Sequence, residues 1–488
     1  MPGRCGTSIR GARARSLGLI CLSACLGVAC SGLSHKVDPN RAPPVAVPER
    51  FLFDGQGGVA DAGAAFWRVV GSAELDALCD AALRGNLDLR RAQARLEAAE
   101  ALARVAGAGL LPQLSLDGSV SRSQQNLFLG RGAAGGKPLT VSQTLFPLSV
   151  GASYEVDLWG RIGSTRRAAQ LDASASREDL DAMAIGVAGG VMGAYLGLVA
   201  ERQTHELLRQ QVDTNRKLLG AIELRFAHGL ASMVDVLQQR SQLEAVVGQL
   251  PAVEARLRLQ TQQLAALLGR LAQRDEQLAS KASLPPVPPL PALGVPAALL
   301  DRRPDVRAAR KRMLAVDHRV ASAKVDLLPA LRLSGTTGFT GRSEPLSFFD
   351  NFIFNLAAGL SAPLLDGGRR RAEVARVRAT LQDAVYAYGQ VVLRALQDVE
   401  EALAREEGER AGLLAAEQRL ETVRKTLEEA RFRYAHGQSD YLPVLTTLST
   451  LQALEADKIQ RQRAQWLARV GLMRALAGTV EPAGGPGR

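Results

Sequence analysis

Apolar residues recur along this chain at alternating spacings of three and four. Leu208, Val212, Asn215, Leu219, Ile222 and Phe226 form one series, in which Asn215 takes a place otherwise held by apolar residues. Leu243, Val246, Leu250, Val253, Leu257, Leu264 and Leu267 form a second series, running back. Spacing sustained this long predicts helices paired by coiled-coil packing. No proline occurs between Ser164 and His228, where helix formers dominate. That stretch predicts one helix of roughly 100 Å, at about 1.5 Å per residue. Pro251 falls inside the returning series and predicts a kink or a break there. Later, Leu381, Val385, Tyr388, Val392, Val399 and Leu403 repeat the helical pattern. Residues 114–121 and 152–158 alternate with period two, which predicts half-buried strands, and the glycine-rich residues 130–136 between them predict a loop.

These elements are written twice. Asn86-Leu87-Asp88-Leu89-Arg90 leads to Leu111-Pro112-Gln113-Leu114, and Arg303-Pro304-Asp305-Val306-Arg307 leads to Leu328-Pro329-Ala330-Leu331 at a constant offset of 217 residues. Arg225-Phe226-Ala227-His228-Gly229 recurs 208 residues later as Arg433-Tyr434-Ala435-His436-Gly437. Matching landmarks in matching order imply a duplicated fold. The organisation expected is a signal segment at 1–29, an extended segment at 30–65 and a first repeat at 66–283. A proline-rich linker at 284–297, a second repeat at 298–478 and a tail at 479–488 complete it. Residues 182–200 carry no charge and are long enough to cross a bilayer. Gly189, Gly193 and Gly197 recur there at every fourth position, and the segment lies inside a continuous amphipathic pattern. The expectation is tight helix packing, with backbones brought close at the glycines.

Charge and cysteine change the picture mainly at the N-terminus. The chain carries 60 Lys+Arg against 49 Asp+Glu, but residues 1–29 hold Arg4, Arg10, Arg13 and Arg15 and no acid. Only 4% of residues are aromatic, and no dense basic block interleaves with them, so a nucleic-acid partner is not expected. The basic start followed by the apolar residues 16–30 reads as an export signal. Four of the five cysteines lie in this stretch, which leaves no disulfide framework in the body. Small residues before cysteine point to lipoprotein processing, which leaves the cysteine N-terminal, with a diacylglycerol on its thiol and an acyl chain on its amine. Gly27-Val28-Ala29-Cys30 gives the fuller apolar region and makes Cys30 the favoured site, with Leu22-Ser23-Ala24-Cys25 as the alternative. No Asp follows Cys30, so the outer membrane is the expected destination.

Catalytic signatures are missing from the sequence. Gly130-Arg131-Gly132-Ala133-Ala134-Gly135 has the spacing of a dinucleotide loop, but Gly136-Lys137-Pro138 follows where a helix should begin. No cofactor, no metal site and no enzymatic activity are expected. His228 and His436 sit at equivalent turns beside glycine, where histidines are ordinarily solvated. Asp235 and Asp440 follow the same two turns. Either they cap helices, or, if the turns converge in an assembly, they form carboxylate rings that attract a cation or a partner.

Several of these landmarks together resemble the outer-membrane efflux family, the TolC-like exit ducts, and most closely the lipoprotein branch that serves RND-type tripartite pumps. The matching residues are Asn86-Leu87-Asp88-Leu89, Leu110-Leu111-Pro112 and Ser153-Tyr154-Glu155-Val156-Asp157-Leu158-Trp159-Gly160-Arg161. Leu299-Leu300-Asp301-Arg302-Arg303-Pro304-Asp305-Val306, Leu327-Leu328-Pro329 and Pro363-Leu364-Leu365-Asp366-Gly367-Gly368-Arg369 match in the second half. The resemblance implies a mainly α chain with a β-barrel contribution: long coiled-coil helices in an α-barrel, and four strands completing a trimeric, twelve-stranded outer-membrane barrel. Residues 130–136 and 341–349 would be its two extracellular loops. Its partners would be two further copies, a periplasmic membrane-fusion adaptor, an inner-membrane RND-type pump and outer-membrane lipid. The family's aperture maps onto Asp235 and Asp440. Its adaptor-contact tips map onto Arg225, Phe226 and Gly229, and onto Arg433, Tyr434 and Gly437. Some members carry further aspartates where this chain has Pro443 and Thr446. The competing expectation is a lipid-anchored, periplasm-spanning tether without a pore.

Overall fold

A helix leaves its first N–H groups without partners, and the repeated motifs of this chain supply them. The computed structural model describes residues 35–52, 65–127, 139–273, 278, 283–290, 296–342 and 351–476. The signal segment, Cys25, Cys30, the loop at 130–136, residues 343–349 and the tail lie outside the described residues. The helices are α1 (Ala73–Gly85), α2 (Leu87–Ala108), α3 (Arg161–Ala227), α4 (Met233–Val247), α5 (Leu250–Leu267), α6 (Pro296–Arg302), α7 (Pro304–Val325), α8 (Arg369–Ala435) and α9 (Leu442–Ala475). Asn86 Oδ1 accepts the N–H groups of Asp88 (2.9 Å) and Leu89 (3.1 Å) and so caps α2. Asp157 accepts those of Ile162 (3.0 Å) and Gly163 (2.7 Å) to open α3. Asp366 does the same for α8 through Gly368 (3.2 Å) and Arg370 (3.3 Å). Arg303 precedes α7 and donates to Asp305 (2.7 Å) and Asp398 (2.8 Å) from a buried position. The motifs that carry the resemblance are therefore the corners of the fold.

The described residues fall into two compact units, each drawing on both repeats. One comprises 35–42, 97–175 and 310–387; the other comprises 43–96, 176–309 and 388–476.

The first unit holds an antiparallel sheet of β1 (Gln113–Gly118), β2 (Ser121–Leu127), β3 (Leu139–Val156), β4 (Ala330–Arg342) and β5 (Phe352–Ser361). Both β1 and β2 pair with β3, β3 with β4, and β4 with β5. Gly118 lies opposite Leu148 and Ser121 opposite Leu145, so β1 and β2 keep one register. They part because Pro147 has no N–H to donate, although Ser119 N–H still reaches its carbonyl at 3.1 Å. The sheet is thus four strands wide. Two expectations change: the strand foreseen at 114–121 continues to Leu127, and the one foreseen at 152–158 spans Leu139–Val156. Phe146-Pro147 and Gly151 interrupt the alternation that would have revealed its earlier part.

Register sorts the side chains by face. Leu114, Leu116, Leu148, Val150, Phe354, Leu356 and Leu360 share one face, all solvent-exposed in the single chain. Ser115, Asp117, Ser149, Ser153, Glu155, Ser334 and Asn355 share the other. Both edges of the sheet, β1/β2 and β5, have no partner strand among the described residues.

In the second unit the uncharged stretch of α3 forms the core. Val191, Met192, Tyr195, Leu196 and Leu198 pack with Trp67, Leu75, Leu264 and Trp466. The glycines there receive side chains, which corrects the expected backbone approach: Gly189 lies under Arg474, Gly193 under Leu467 and Gly197 beside Gln260. Farther along, Leu208, Val212, Val246 and Val253 form the foreseen seam. Phe226, expected in it, is 40% exposed, because α3 ends one residue later. The break expected at Pro251 separates α4 from α5, with that proline in the first turn of α5. The linker is packed where it is described: Trp466 donates to Pro285 O (2.7 Å) and Arg469 to Pro289 O (2.8 Å).

Candidate functional site

The two repeated turns lie in the same helical unit, and both are built by glycine. Gly229 (φ 72°) ends α3, and Leu230 N–H reaches Arg225 O at 2.8 Å. Gly437 (φ 70°) ends α8, and Gln438 N–H reaches Arg433 O at 2.8 Å. This left-handed closure collects helix-end carbonyls and strains any residue with a Cβ, which accounts for the paired His-Gly sequences.

The helices that leave the turns start differently. Ser232 Oγ accepts from Asp235 N–H (3.1 Å), and the Asp235 carboxylate accepts from Ser232 N–H (2.9 Å), a reciprocal capping box at α4. At α9 the cap position falls to Tyr441, whose side chain does no capping, and Pro443 sits in the first turn. Asp440 is exposed, and its carboxylate makes no hydrogen bond among the described residues. One of the two aspartates is thus engaged by its own helix, and the other is free.

Arg225, Tyr434 and Tyr441 come together between the turns. The Arg225 guanidinium lies 4.7 Å from the centre of the Tyr434 ring, a cation–π distance. The Tyr434 and Tyr441 rings stand 5.2 Å apart. Burial pushes both phenols above their ordinary range; at Tyr434 the Arg225 charge acts in the opposite direction. Arg433 lies outside this group, exposed and paired with Glu429 at 2.7 Å. Phe226 is exposed with Leu224, Leu230, Met233, Val234 and Leu237, an apolar surface at the first turn.

Sequence reasoning missed the polar ladder that ties these turns into the bundle. Tyr441 Oη donates to Gln239 Oε1 (2.6 Å), and Gln239 Nε2 donates to Asn215 O (3.1 Å) and Oδ1 (3.0 Å). Gln211 Nε2 donates to Gln452 O (3.2 Å), and Gln242 Nε2 to Gln452 Oε1 (3.0 Å). Asn215, Gln239 and Tyr441 are all buried. The sequence signal was Asn215 at a seam position, where a polar residue fixes register at some loss of stability. Tyr441→Phe removes the donor and leaves Gln239 Oε1 buried and unpaired, so we expect a loss of about 1–3 kcal/mol in chemical denaturation. A change indistinguishable from wild type would show that water reaches this ladder.

Comparison with known proteins follows the same landmarks. The family described as "Outer membrane efflux protein" matches residues 78–270 and 295–478. The pyoverdine export outer membrane protein OpmQ of Pseudomonas aeruginosa is 32% identical over 460 residues, covering 94% of this chain and 96% of that protein. The cation efflux system protein CusC of Escherichia coli is 26% identical over 466 residues, covering 94% and 98%. A crystal structure of a membrane protein from Pseudomonas aeruginosa aligns with a TM-score of 0.79 at 26% identity, over 91% of this chain and 100% of that one.

Proposed function

The chain belongs to the outer membrane efflux protein family, and from that premise we propose that three copies assemble, each lending four strand widths to one twelve-stranded barrel. The protein is an outer-membrane exit duct of a Gram-negative bacterium that extends into the periplasm, a transport protein. The observation that carries the trimer is the two-faced sheet with two open edges. In lipid every unpaired edge group costs several kcal/mol, so a spanning sheet must close. A sheet four strands wide is too narrow to close on itself, whereas three such sheets can. At about 3.4 Å per residue the apolar row from Phe352 to Leu360 runs roughly 27 Å, close to the ~25 Å apolar band of outer-membrane barrels. A periplasmic tether has no use for such a sheet.

In this reading the duct is passive. An inner-membrane RND-type pump supplies the energy, and a membrane-fusion adaptor joins it to the duct. The adaptor docks at the turns, through Arg225, Phe226 and Gly229 and through Arg433, Tyr434 and Gly437, beside the exposed apolar residues around Met233. Asp235 and Asp440 line the closed aperture. Lipid on Cys30, or on Cys25, anchors the N-terminus. OpmQ and CusC are named for unlike cargo, pyoverdine and cations. The likeness of this chain to both is consistent with a pump that makes the main choice of substrate.

Imaging of the full-length protein extracted from outer membranes in detergent tests the assembly. A three-fold hollow cylinder with a long tube is expected. A solid rod, or a monomer released without detergent, would overturn the reading.

A further inference from the structure

The first turns of the two longest helices carry the wrong charge for helices. The N-terminus of a helix is the positive end of its dipole and favours acids. Yet α8 opens with Arg369-Arg370-Arg371, α3 opens with Arg161, and neither has an acid in its first turn. The capping carboxylates Asp157 and Asp366 set one negative charge at each of these ends, against four guanidiniums.

Local acids satisfy only part of this charge. Arg161 pairs with Glu155 (2.6 Å), and Arg370 with both Asp326 (3.1 Å) and Asp366 (3.2 Å). Arg376 pairs with Glu373 (2.7 Å), and Arg319 with Asp172. Arg369 is exposed and makes no side-chain hydrogen bond or ion pair among the described residues. Its charge, with the Arg376 hydrogen bond as the larger cause, holds the Glu373 carboxyl below the usual range. Arg161, Arg319, Arg369, Arg370 and Arg376 line one cleft of about 540 Å³ together with the carboxylates Asp326 and Glu373, while Glu155, Asp172 and Asp366 pair with Arg161, Arg319 and Arg370 from outside its lining.

The orientation of this cleft follows from the sheet. Arg161 and Thr165 also line the neighbouring cleft, whose wall includes Ser153, Glu155, Arg332 and Ser334. Those four residues belong to the polar face of the sheet. Because the apolar face must meet lipid, the polar face and the clefts at its foot open toward the interior of the duct.

We propose that this arginine cleft is a binding station inside the duct for small polyanions, solutes bearing several carboxylate, phosphate or sulfonate groups. The station rests on the duct reading for its position. It holds anions by paired guanidinium contacts, the geometry in which arginine exceeds lysine, and it acts as a charged ring does in anion pores. It biases passage toward anionic cargo.

The test uses the full-length protein in planar lipid bilayers, with inorganic tripolyphosphate as the probe at about 0.1 M salt, where screening is moderate. Tripolyphosphate is expected to block the wild-type current, and R369Q/R376Q is expected to raise the half-blocking concentration about tenfold. Hexaamminecobalt(III), of opposite charge, serves as the control, and its effect should be the same on both proteins. A conducting wild type that tripolyphosphate does not block, or a block the double variant leaves unchanged, overturns the station. If R369Q/R376Q fails to assemble, R369Q alone carries the test, since Arg369 has no partner to lose. If neither the wild type nor its Asp235→Asn/Asp440→Asn variant conducts, the duct reading is overturned instead. The station is then judged by calorimetric titration of the detergent-extracted protein with tripolyphosphate, where heat that persists in the double variant counts against it.

Discussion

Replacing Glu406 by alanine should destabilise the protein by about 3–5 kcal/mol, the range for removing one member of a buried ion pair. Glu406 and Arg469 each expose 3% of their side chains, and the guanidinium meets both carboxylate oxygens, with Nε at 2.9 Å from each. Arg469 also holds Pro289 O at 2.8 Å. Alanine at 406 strands a charge that cannot lose its proton and has no route to water, because the linker carbonyl it still contacts carries only a partial charge. Glu406→Gln should fall between, since it keeps one acceptor and loses the charge. The double variant Glu406→Met with Arg469→Met should be milder than Glu406→Ala. It removes both charges and leaves only the Pro289 carbonyl unpaired, a deficit of about 1–3 kcal/mol. Urea unfolding of the detergent-extracted protein measures all three. If Glu406→Ala lies within about 1 kcal/mol of wild type, the pair is hydrated and its surface-like value applies.

Much of this architecture was legible because helix packing writes itself into spacing. The seam through Leu208, Val212, Val246 and Val253 follows from three-and-four periodicity alone, and Pro251 marks the break that separates α4 from α5. The corners were legible as repeated motifs, although Asn86, Asp157 and Asp366 reveal their role as caps only through their hydrogen bonds. What escaped was written in two dimensions. The full length of β3 is masked by Pro147 and Gly151, whose tolerance depends on what the neighbouring strand offers. Gly189 and Gly193 were visible as a stripe, but whether a backbone or a side chain fills the space is decided by Arg474 and Leu467, far along the chain. The pairing of Tyr441 with Gln239 joins two repeats, and no local pattern in either could announce it. Of the candidate site, the turns were readable and their division of labour was not. Asp235 and Asp440 occupy matching stretches, yet only Asp235 is drawn into a capping box, because only the first turn places a serine three residues ahead of its aspartate.

That difference makes the proposed aperture testable without confusing charge with folding. Asp235→Asn combined with Asp440→Asn should raise single-channel conductance several-fold and abolish its sensitivity to divalent cations, because closely held like charges are what recruit a cation to such a ring. Asparagine is the informative replacement at 235. Its side-chain oxygen can still accept from Ser232 N–H, so the cap survives while the charge is lost. Asp235→Ala removes the charge and the carboxylate's half of the capping box, while Ser232 Oγ still accepts the N–H of residue 235. It should add a local destabilisation of about 0.5–1.5 kcal/mol, the usual value of one hydrogen bond. If the carboxylates close the aperture by their charge, Asn and Ala at 235 give equal conductance and differ only in stability. If Asp235 matters only as the cap that sets the start of α4, Asn conducts as wild type does and Ala alone opens the duct. Asp440, with no cap to lose, supplies the cleaner single variant: a conductance unchanged by Asp440→Asn at any divalent concentration would remove it from the aperture altogether.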